Sequence, residues 1–134
     1  MIAVDTSAIV AIVFDEAERP LFRRIIQRAS KVLISTVSVL EIRLVVHGRR
    51  GQRGIVLAEA LLRLPVFEIV PPAVVEMEAA YSAFVAYGRG SGHPANLNFG
   101  DLFSYALAKV RGVPLLFKGN DFSQTDIQSA ATLS

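Results

Sequence analysis

Short runs of branched apolar residues recur along the chain, each followed by a longer stretch with helical periodicity, and this alternation constrains the fold more than any other feature. The runs lie at Ile2–Val4, Val32–Ser35, Phe67–Val70 and 114–117. Between them, helical patterns cover residues 7–14, 17–29, 37–49, 55–64, 73–87 and 99–110. Strands that alternate with helices in this way form a parallel sheet covered by helices. The sequence therefore predicts a single α/β domain over residues 1–134.

The apolar composition does not indicate a membrane protein. Although 52% of the residues are hydrophobic, the longest run without a polar residue or proline is residues 8–14, and a spanning helix needs about 20 residues. A secretory signal is not expected either, because the N-terminus lacks a basic region and Asp5 interrupts its apolar residues. We therefore expect a cytoplasmic protein without a membrane segment.

The available side chains restrict the kind of metal site that the chain could form. Cysteine is absent and only His47 and His93 offer an imidazole, so disulfides, thiolate sites and a structural zinc site are not expected. Carboxylates are the remaining ligands. Such hard oxygen ligands suit Mg2+ and Mn2+.

Four carboxylates follow the predicted strands. Asp5 comes directly after the first strand, and Asp121 comes a few residues after the last one. Glu41 lies about one helical turn beyond the second strand, and Asp101 opens the helix that leads into the last strand. Because ligands of open parallel sheets bind beyond the carboxyl ends of the strands, these positions predict a shared site. Carboxylates that converge there would repel one another, and bound cations would relieve that repulsion.

Each acid also has a structural interpretation when it is taken singly. Thr6 or Ser7 could cap the first helix, residues 38–41 have the pattern of a capping box, and residues 98–101 place an acid behind an asparagine cap. Residues 119–121 are typical of a turn, and Asp126 has the position of a turn or cap residue. The convergence of the four acids therefore decides between a site and four separate caps.

The basic residues suggest contacts with phosphate. Eleven of the fourteen are arginine, and Arg43, Arg49, Arg50 and Arg53 fall close together with His47 among them. Arginine binds phosphate through two parallel hydrogen bonds, although a solvated helix face explains the same cluster equally well. The candidates for binding a phosphate backbone are Arg43, Arg49, Arg50 and Lys118.

Four segments in order carry a resemblance to a known family. They are residues 5–8, 38–42, 98–101 and 118–122. The chain resembles the PIN-domain ribonucleases and, more closely, the VapC toxins of bacterial type II toxin–antitoxin systems, from the first residue to about Ile127. The resemblance implies a PIN-like three-layer α/β/α fold with a central parallel sheet of four to five strands.

The resemblance also implies a chemistry and a set of site residues. Asp5, Glu41, Asp101 and Asp121 correspond to the acidic quartet of the family, Ser7 to a hydroxyl that hydrogen-bonds within it, and Asp126 to an outer acid. The implied activity is Mg2+- or Mn2+-dependent endoribonuclease cleavage, in which the cation activates a water. Asp5 and Asp101 are expected nearest the cation. The implied partners are RNA, a VapB-like antitoxin and a second copy of the chain.

Three alternatives to this interpretation remain at the level of the sequence. The first is a metal-independent ribonuclease in which His47 and His93 act as acid and base and leave a cyclic phosphate. The second is phosphotransfer on Asp5, which is disfavoured because the position two residues later is Ser7 rather than an acid. The third is a non-catalytic module that binds a partner and an operator.

Overall fold

The computed structural model describes residues 1–133. Its strands are β1 (Ile2–Val4), β2 (Val32–Ser35), β3 (Phe67–Val70) and β4 (Leu115–Leu116). Its α-helices are α1 (Thr6–Val13), α2 (Arg19–Arg28), α3 (Thr36–Leu62), α4 (Val74–Tyr87) and α5 (Phe99–Arg111). Two short 3-10 helices follow β4, at Phe122–Gln124 and Ala130–Leu133. The predicted strands are therefore confirmed, with the fourth shorter than residues 114–117.

The strands form one parallel sheet in the order β3-β2-β1-β4. In the register of the sheet, Ala3 pairs with Leu33 on one side and with Leu115 on the other. The chain builds the sheet outward from β1 through β2 to β3, and β4 then returns to the free side of β1. The connections therefore reverse direction at β1, and open parallel sheets bind ligands beside such a switch point.

The strands β1, β2 and β4 are buried on both faces, which explains why they are almost continuously apolar. The edge strand β3 is partly exposed and contains Glu68. On one face Val4, Ile34 and Leu116 pack against α1, α2 and α3. On the other face Leu33 and Leu115 pack in a second core with α4 and α5. The three-layer α/β/α arrangement is thus confirmed, with four strands in the sheet.

Helix α3 consists of two helical segments, as the prediction of helices at residues 37–49 and 55–64 requires. The segments join across a kink at Gly51, whose φ of 56° and ψ of −152° are not helical. Glycine adopts a positive φ without a steric cost, so Gly51 lets the chain change direction between them. The first segment begins before the predicted capping box, because Ser35 is the N-cap and accepts a hydrogen bond from the Val37 amide.

The helices are not membrane spans. Among residues 1–133, no helix combines the length and the apolar character that a bilayer crossing requires.

Candidate active site

Three helices begin at the carboxyl edge of the sheet. Helix α1 starts one residue after Asp5, α3 starts directly after β2, and α5 begins at Phe99. The N-terminus of a helix carries a partial positive charge, which stabilises nearby carboxylates. This edge therefore favours negative charge before any cation is considered.

Asp5 is the most deeply buried acid of the site, with 4% of its surface exposed. It is the N-cap of α1, and its Oδ2 accepts a hydrogen bond from the Ser7 amide at 3.0 Å. Its Oδ1 accepts a hydrogen bond from the Ser104 hydroxyl at 2.5 Å. The cap at this helix is thus Asp5 itself rather than Thr6 or Ser7.

Glu41 is held against the site by Thr6 and Gly100. The Thr6 hydroxyl donates to Glu41 Oε1 at 2.9 Å, and the carboxylate lies over the backbone of Gly100, in space that a β-carbon there would need. Burial raises the pKa of Glu41, the hydrogen bond from Thr6 opposes that rise, and the charge of Asp5 adds to it. The structure does not pair Glu41 with Ser38 as a cap, so the capping-box interpretation of residues 38–41 is wrong.

Asp101 forms the predicted cap and belongs to the acid cluster as well. Its Oδ2 accepts from the Asn98 amide at 3.0 Å, and its own amide donates to Asn98 Oδ1 at 2.8 Å. Burial raises the pKa of Asp101 to about 7, opposed by the Asn98 hydrogen bond and assisted by the charges of Asp5, Asp121 and Glu41. The Glu41 carboxylate contacts Thr6 and Gly100, which are the chain neighbours of Asp5 and Asp101. The four acids therefore come together at the edge of the sheet.

Asp121 is the exposed member of the four. It lies between β4 and the 3-10 helix Phe122–Gln124, and its side chain makes no capping hydrogen bond there. Its charge acts on Asp101. The turn interpretation of residues 119–121 is thus compatible with membership of the cluster, because the carboxylate itself takes no part in the turn.

The residues fit a hard divalent cation of the Mg2+ type. Four carboxylates supply oxygen ligands, and among the described residues none of the four forms an ion pair with a lysine or arginine. Within residues 1–133 no three acidic or histidine side chains form a ready-made metal cage. Mg2+ does not need one, since it keeps several waters and commonly takes one or two carboxylates directly.

The two supporting residues expected from the sequence lie in different surroundings. The Ser7 hydroxyl accepts from the Lys118 amide at 3.0 Å, so the hydrogen bond from position 7 to the cluster comes from its backbone. Asp126 accepts from the Tyr105 hydroxyl at 2.6 Å and from Lys109 Nζ at 2.7 Å. Burial opposes those bonds, but together they lower the pKa of Asp126. The structure ties Asp126 to α5 and does not bring it among the four acids.

The four basic candidates fall into two groups. Arg43 pairs with Glu59 at 3.7 Å, and Lys118 Nζ contacts Glu16 at 2.9 Å and Glu18 at 3.4 Å. The guanidinium groups of Arg49 and Arg50 instead lie 5.1 and 5.2 Å from the centre of the Phe14 ring. Among the described residues, this second pair has no carboxylate partner.

The two histidines lie in unrelated places. His47 is exposed on α3. His93 packs against Tyr87 with the ring centres 4.9 Å apart, and its Nδ1 accepts from the Ala95 amide at 3.1 Å. Nothing in these contacts assembles an acid–base pair from them.

Three residues of the site were missed at the level of the sequence: Thr6, Gly100 and Ser104. Thr6 and Gly100 each follow or precede a predicted acid by one position, so the segments that carry the acids contained that signal. Ser104 is a lone serine within an apolar helix face and lies one turn after Asp101. A buried hydroxyl needs a partner, and this one finds Asp5.

Comparison with known proteins gives a family from the sequence. Residues 2–128 match the family model described as PIN domain, and the segments of the predicted resemblance lie within these residues. The chain is 41% identical over 128 residues to ribonuclease VapC30 of Mycobacterium tuberculosis, in a match that covers 96% of this chain and 97% of that protein.

Two solved structures share the fold. VapC20 of Mycobacterium tuberculosis, titled a Sarcin-Ricin loop cleaving toxin, has a TM-score of 0.77 at 24% identity and covers 95% of this chain and 96% of its own. VapBC2 from Rickettsia felis, bound to a DNA fragment from their promoter, has a TM-score of 0.77 at 12% identity and covers 96% of each chain. The chain belongs to the PIN-domain family and, within it, to the VapC ribonucleases.

Proposed function

We propose that this chain is an Mg2+- or Mn2+-dependent endoribonuclease, which acts in the cytoplasm as the toxin of a toxin–antitoxin pair. One observation supports the metal dependence: the Glu41 carboxylate bonds to Thr6, next to Asp5, and lies against Gly100, next to Asp101, so acids from three elements share one edge of the sheet without a basic partner. A divalent cation is the natural partner of a carboxylate cluster whose charge the protein leaves unbalanced.

We assign Asp5 and Asp101 as the carboxylates nearest the cation. Asp5 is fixed on both oxygens by hydrogen bonds, and Asp101 is fixed by the cap of α5. Glu41 and Asp121 then complete the site directly or through water, and Thr6 keeps Glu41 directed toward it. When bound, the cation supplies an activated water and neutralises charge on the phosphate and the leaving oxygen. The products would be a 5'-phosphate and a 3'-hydroxyl.

RNA would reach this edge along the basic side chains. The amide of Lys118 bonds to Ser7 and so places this lysine beside the first acid, although its ammonium is engaged by Glu16 and Glu18. Arg49 and Arg50 are free of carboxylates among the described residues and are the stronger candidates for phosphate. Arg43 would have to leave Glu59 before it could bind.

An apolar groove supports the antitoxin proposal. Ile12 and Ile26 lie at its base, Leu57, Leu61 and Leu64 line one wall, and the cavity holds about 210 Å³. Leu57 and Leu64 remain substantially exposed. Arg19 and Arg23 lie at the groove. The groove would take an antitoxin segment with an apolar helix face and acidic flanks.

A homodimer is proposed from the resemblance, and the outer face of α4 supports it. Val74, Met77, Tyr81, Phe84 and Val85 are exposed along this helix and follow a helical spacing. We expect Tyr81→Glu to convert a dimer into a monomer in sedimentation experiments, and Ser82→Glu to leave the dimer intact. A wild-type protein that sediments as a monomer at micromolar concentration would contradict the proposal.

The test of the nuclease proposal compares Asp5→Asn and Asp101→Asn with the wild type. Both substitutions keep the size of the side chain and one acceptor oxygen, and they replace the second oxygen and its charge by a neutral NH2 group. We expect each to reduce RNA cleavage in Mg2+ or Mn2+ by at least about 100-fold, which is about 2.7 kcal/mol of transition-state stabilisation. Asp15→Asn is the matched control, because Asp15 lies in an exposed turn with a positive φ that asparagine also adopts.

Two further readouts separate this mechanism from the alternatives. Cleavage should stop in EDTA and return with Mg2+, and the fragments should carry 5'-phosphates. Activity that persists in EDTA and leaves a 2',3'-cyclic phosphate would point instead to His47 and His93. Full toxicity in cells of both asparagine variants would rule out catalysis by the quartet.

A further inference from the structure

Ser104 is a buried hydroxyl that the nuclease mechanism does not yet use. It lies in the middle of α5 with 1% of its surface exposed, between apolar residues of the same helix. Its hydroxyl donates to Asp5 Oδ1 at 2.5 Å, across a separation of 99 residues in the chain. A serine hydroxyl within a helix commonly bonds to the carbonyl one turn before it. This one bonds to a carboxylate of the site instead.

A second buried hydroxyl lies behind it. Ser38, in the first turns of α3, is fully buried, and its Oγ lies 3.3 Å from Ser104 Oγ. A hydroxyl has one hydrogen to donate, and an ionised Asp5 can only accept. The hydrogen of Ser104 therefore goes to Asp5, and Ser38 must donate to Ser104. The three side chains form a directed chain from α3 through α5 to the end of β1.

The result is that both oxygens of Asp5 are oriented. Oδ1 accepts from Ser104 and Oδ2 accepts from the Ser7 amide at 3.0 Å. The carboxylate cannot rotate without breaking a hydrogen bond in a buried place, and such a loss is costly. Its remaining lone pairs are thereby presented in one direction.

We propose that Ser104, supported by Ser38, is a positioning residue that fixes Asp5 in the orientation in which it binds the divalent cation. The proposal rests on the proposed metal-dependent nuclease function and assigns to it two residues outside the acidic quartet. Hydrogen-bonding partners of a ligand orient it and raise its affinity for the metal, and their loss typically reduces affinity or activity by about 10–100-fold.

The order of the two serines in the hydrogen-bonded chain predicts how their substitutions should affect cation binding. Because Ser38 contacts Asp5 only through Ser104, the effect of removing Ser38 should be smaller than that of removing Ser104. Removing Ser38 should have no effect on cation binding in a protein that already lacks Ser104. Two serines that merely satisfied each other in a core would show no such dependence in the binding of a cation.

The experiment measures the binding of Mn2+ alone, by calorimetry and by the paramagnetic resonance of free Mn2+, to the purified full chain. The variants are Ser104→Ala, Ser38→Ala and the double substitution, and the melting temperature of each is recorded. We expect Ser104→Ala to weaken Mn2+ binding about 10–100-fold, Ser38→Ala to weaken it less, and the double variant to match Ser104→Ala. High Mn2+ concentrations should restore most RNA cleavage by Ser104→Ala.

Several results would overturn the proposal. Unchanged Mn2+ affinity in Ser104→Ala, with or without a lower melting temperature, would leave Ser104 a core hydroxyl only. Independent effects of the two serines would contradict the directed chain. If Ser104→Ala does not fold, Ser104→Cys provides the same comparison with a weaker donor. If the wild type itself binds no Mn2+ and cleaves RNA without it, the nuclease proposal fails first, and this failure is visible without any variant.

Discussion

The carboxylate of Glu41 lies directly against the backbone of Gly100, in the space that the β-carbon of any other residue would occupy. The first turn of α5 is therefore shaped around an acid from α3. Because Asp101 is the next residue along α5, a change at Gly100 would act on both carboxylates.

We expect Gly100→Ala to displace Glu41 and to lower kcat/KM for RNA cleavage by about 10–100-fold. The melting temperature should change little, because the displaced group is the end of a flexible side chain and alanine favours the helix. Gly48→Ala is the matched control, since Gly48 is also helical and no atom lies near its missing β-carbon. Equal kinetics of the two variants would mean that the position of Glu41 does not matter.

The raised pKa of Asp101 makes stability depend on pH. The folded state holds a proton on this carboxyl up to about pH 7, whereas the ordinary value is 3.8. The contribution to stability is thus present below about pH 4 and is lost as the pH rises through 7. At pH 8 without divalent cations, we expect Asp101→Asn to be more stable than the wild type by about 1–2 kcal/mol, in denaturant titrations.

Divalent cations should stabilise the wild type and Asp101→Asn to different extents. At pH 8, Mn2+ at 100 times its dissociation constant should stabilise the wild type by about 2.7 kcal/mol, and the gain for Asp101→Asn should be much smaller. Near pH 5, protons compete with the cation for the carboxylates, so Mn2+ should stabilise the wild type less than at pH 8. If Asp101→Asn is less stable than the wild type at every pH, the charge of Asp101 does not destabilise the folded state.

The two groups of basic residues should differ in their salt dependence. A phosphate contact to single-stranded RNA contributes about 0.7 to the slope of log K against log salt. We expect Arg49→Ala to lower the slope by about that amount in the inactive Asp5→Asn background. Lys118→Ala should lower it less, because Glu16 and Glu18 already neutralise this lysine. The control is Arg111→Ala at the far end of α5 from Asp101, and a slope unchanged in Arg49→Ala would exclude a phosphate contact there.

The groove between α2 and the outer half of α3, which follows Gly51, is the surface that we propose for the antitoxin. Leu57 lines the groove and its neighbour Val56 does not, yet both are 59% exposed. We expect Leu57→Glu to abolish co-purification with the antitoxin, encoded in the neighbouring reading frame, and Val56→Glu to retain it. Cleavage by the isolated toxin should be the same in both. Equal retention of the antitoxin would place its binding surface elsewhere.

The sheet and the acid cluster could be predicted because both follow from local patterns. The strands β1, β2 and β4 are almost entirely apolar and buried on both faces, and Asp5, Glu41 and Asp121 follow strand ends whose order in space is fixed by parallel pairing. The same reasoning could not distinguish the two roles of Asp101, which caps α5 and belongs to the cluster at once.

What could not be predicted depends on contacts between distant segments. Ser104 meets Asp5 across 99 residues, and Ser38 turns inward to Ser104 rather than capping α3. Asp126 was assigned to the outer part of the site by resemblance, but Lys109 and Tyr105 hold it against α5.

The bend at Gly51 divides α3 between two tasks. The inner half carries Glu41 and Ser38 at the carboxyl edge, and the outer half carries Leu57 and Leu61 in the groove. If the groove binds the antitoxin as we propose, substitutions after Gly51 would change partner recognition while the carboxylates before Gly51 keep their geometry. Partner choice and chemistry could then diverge independently within one helix.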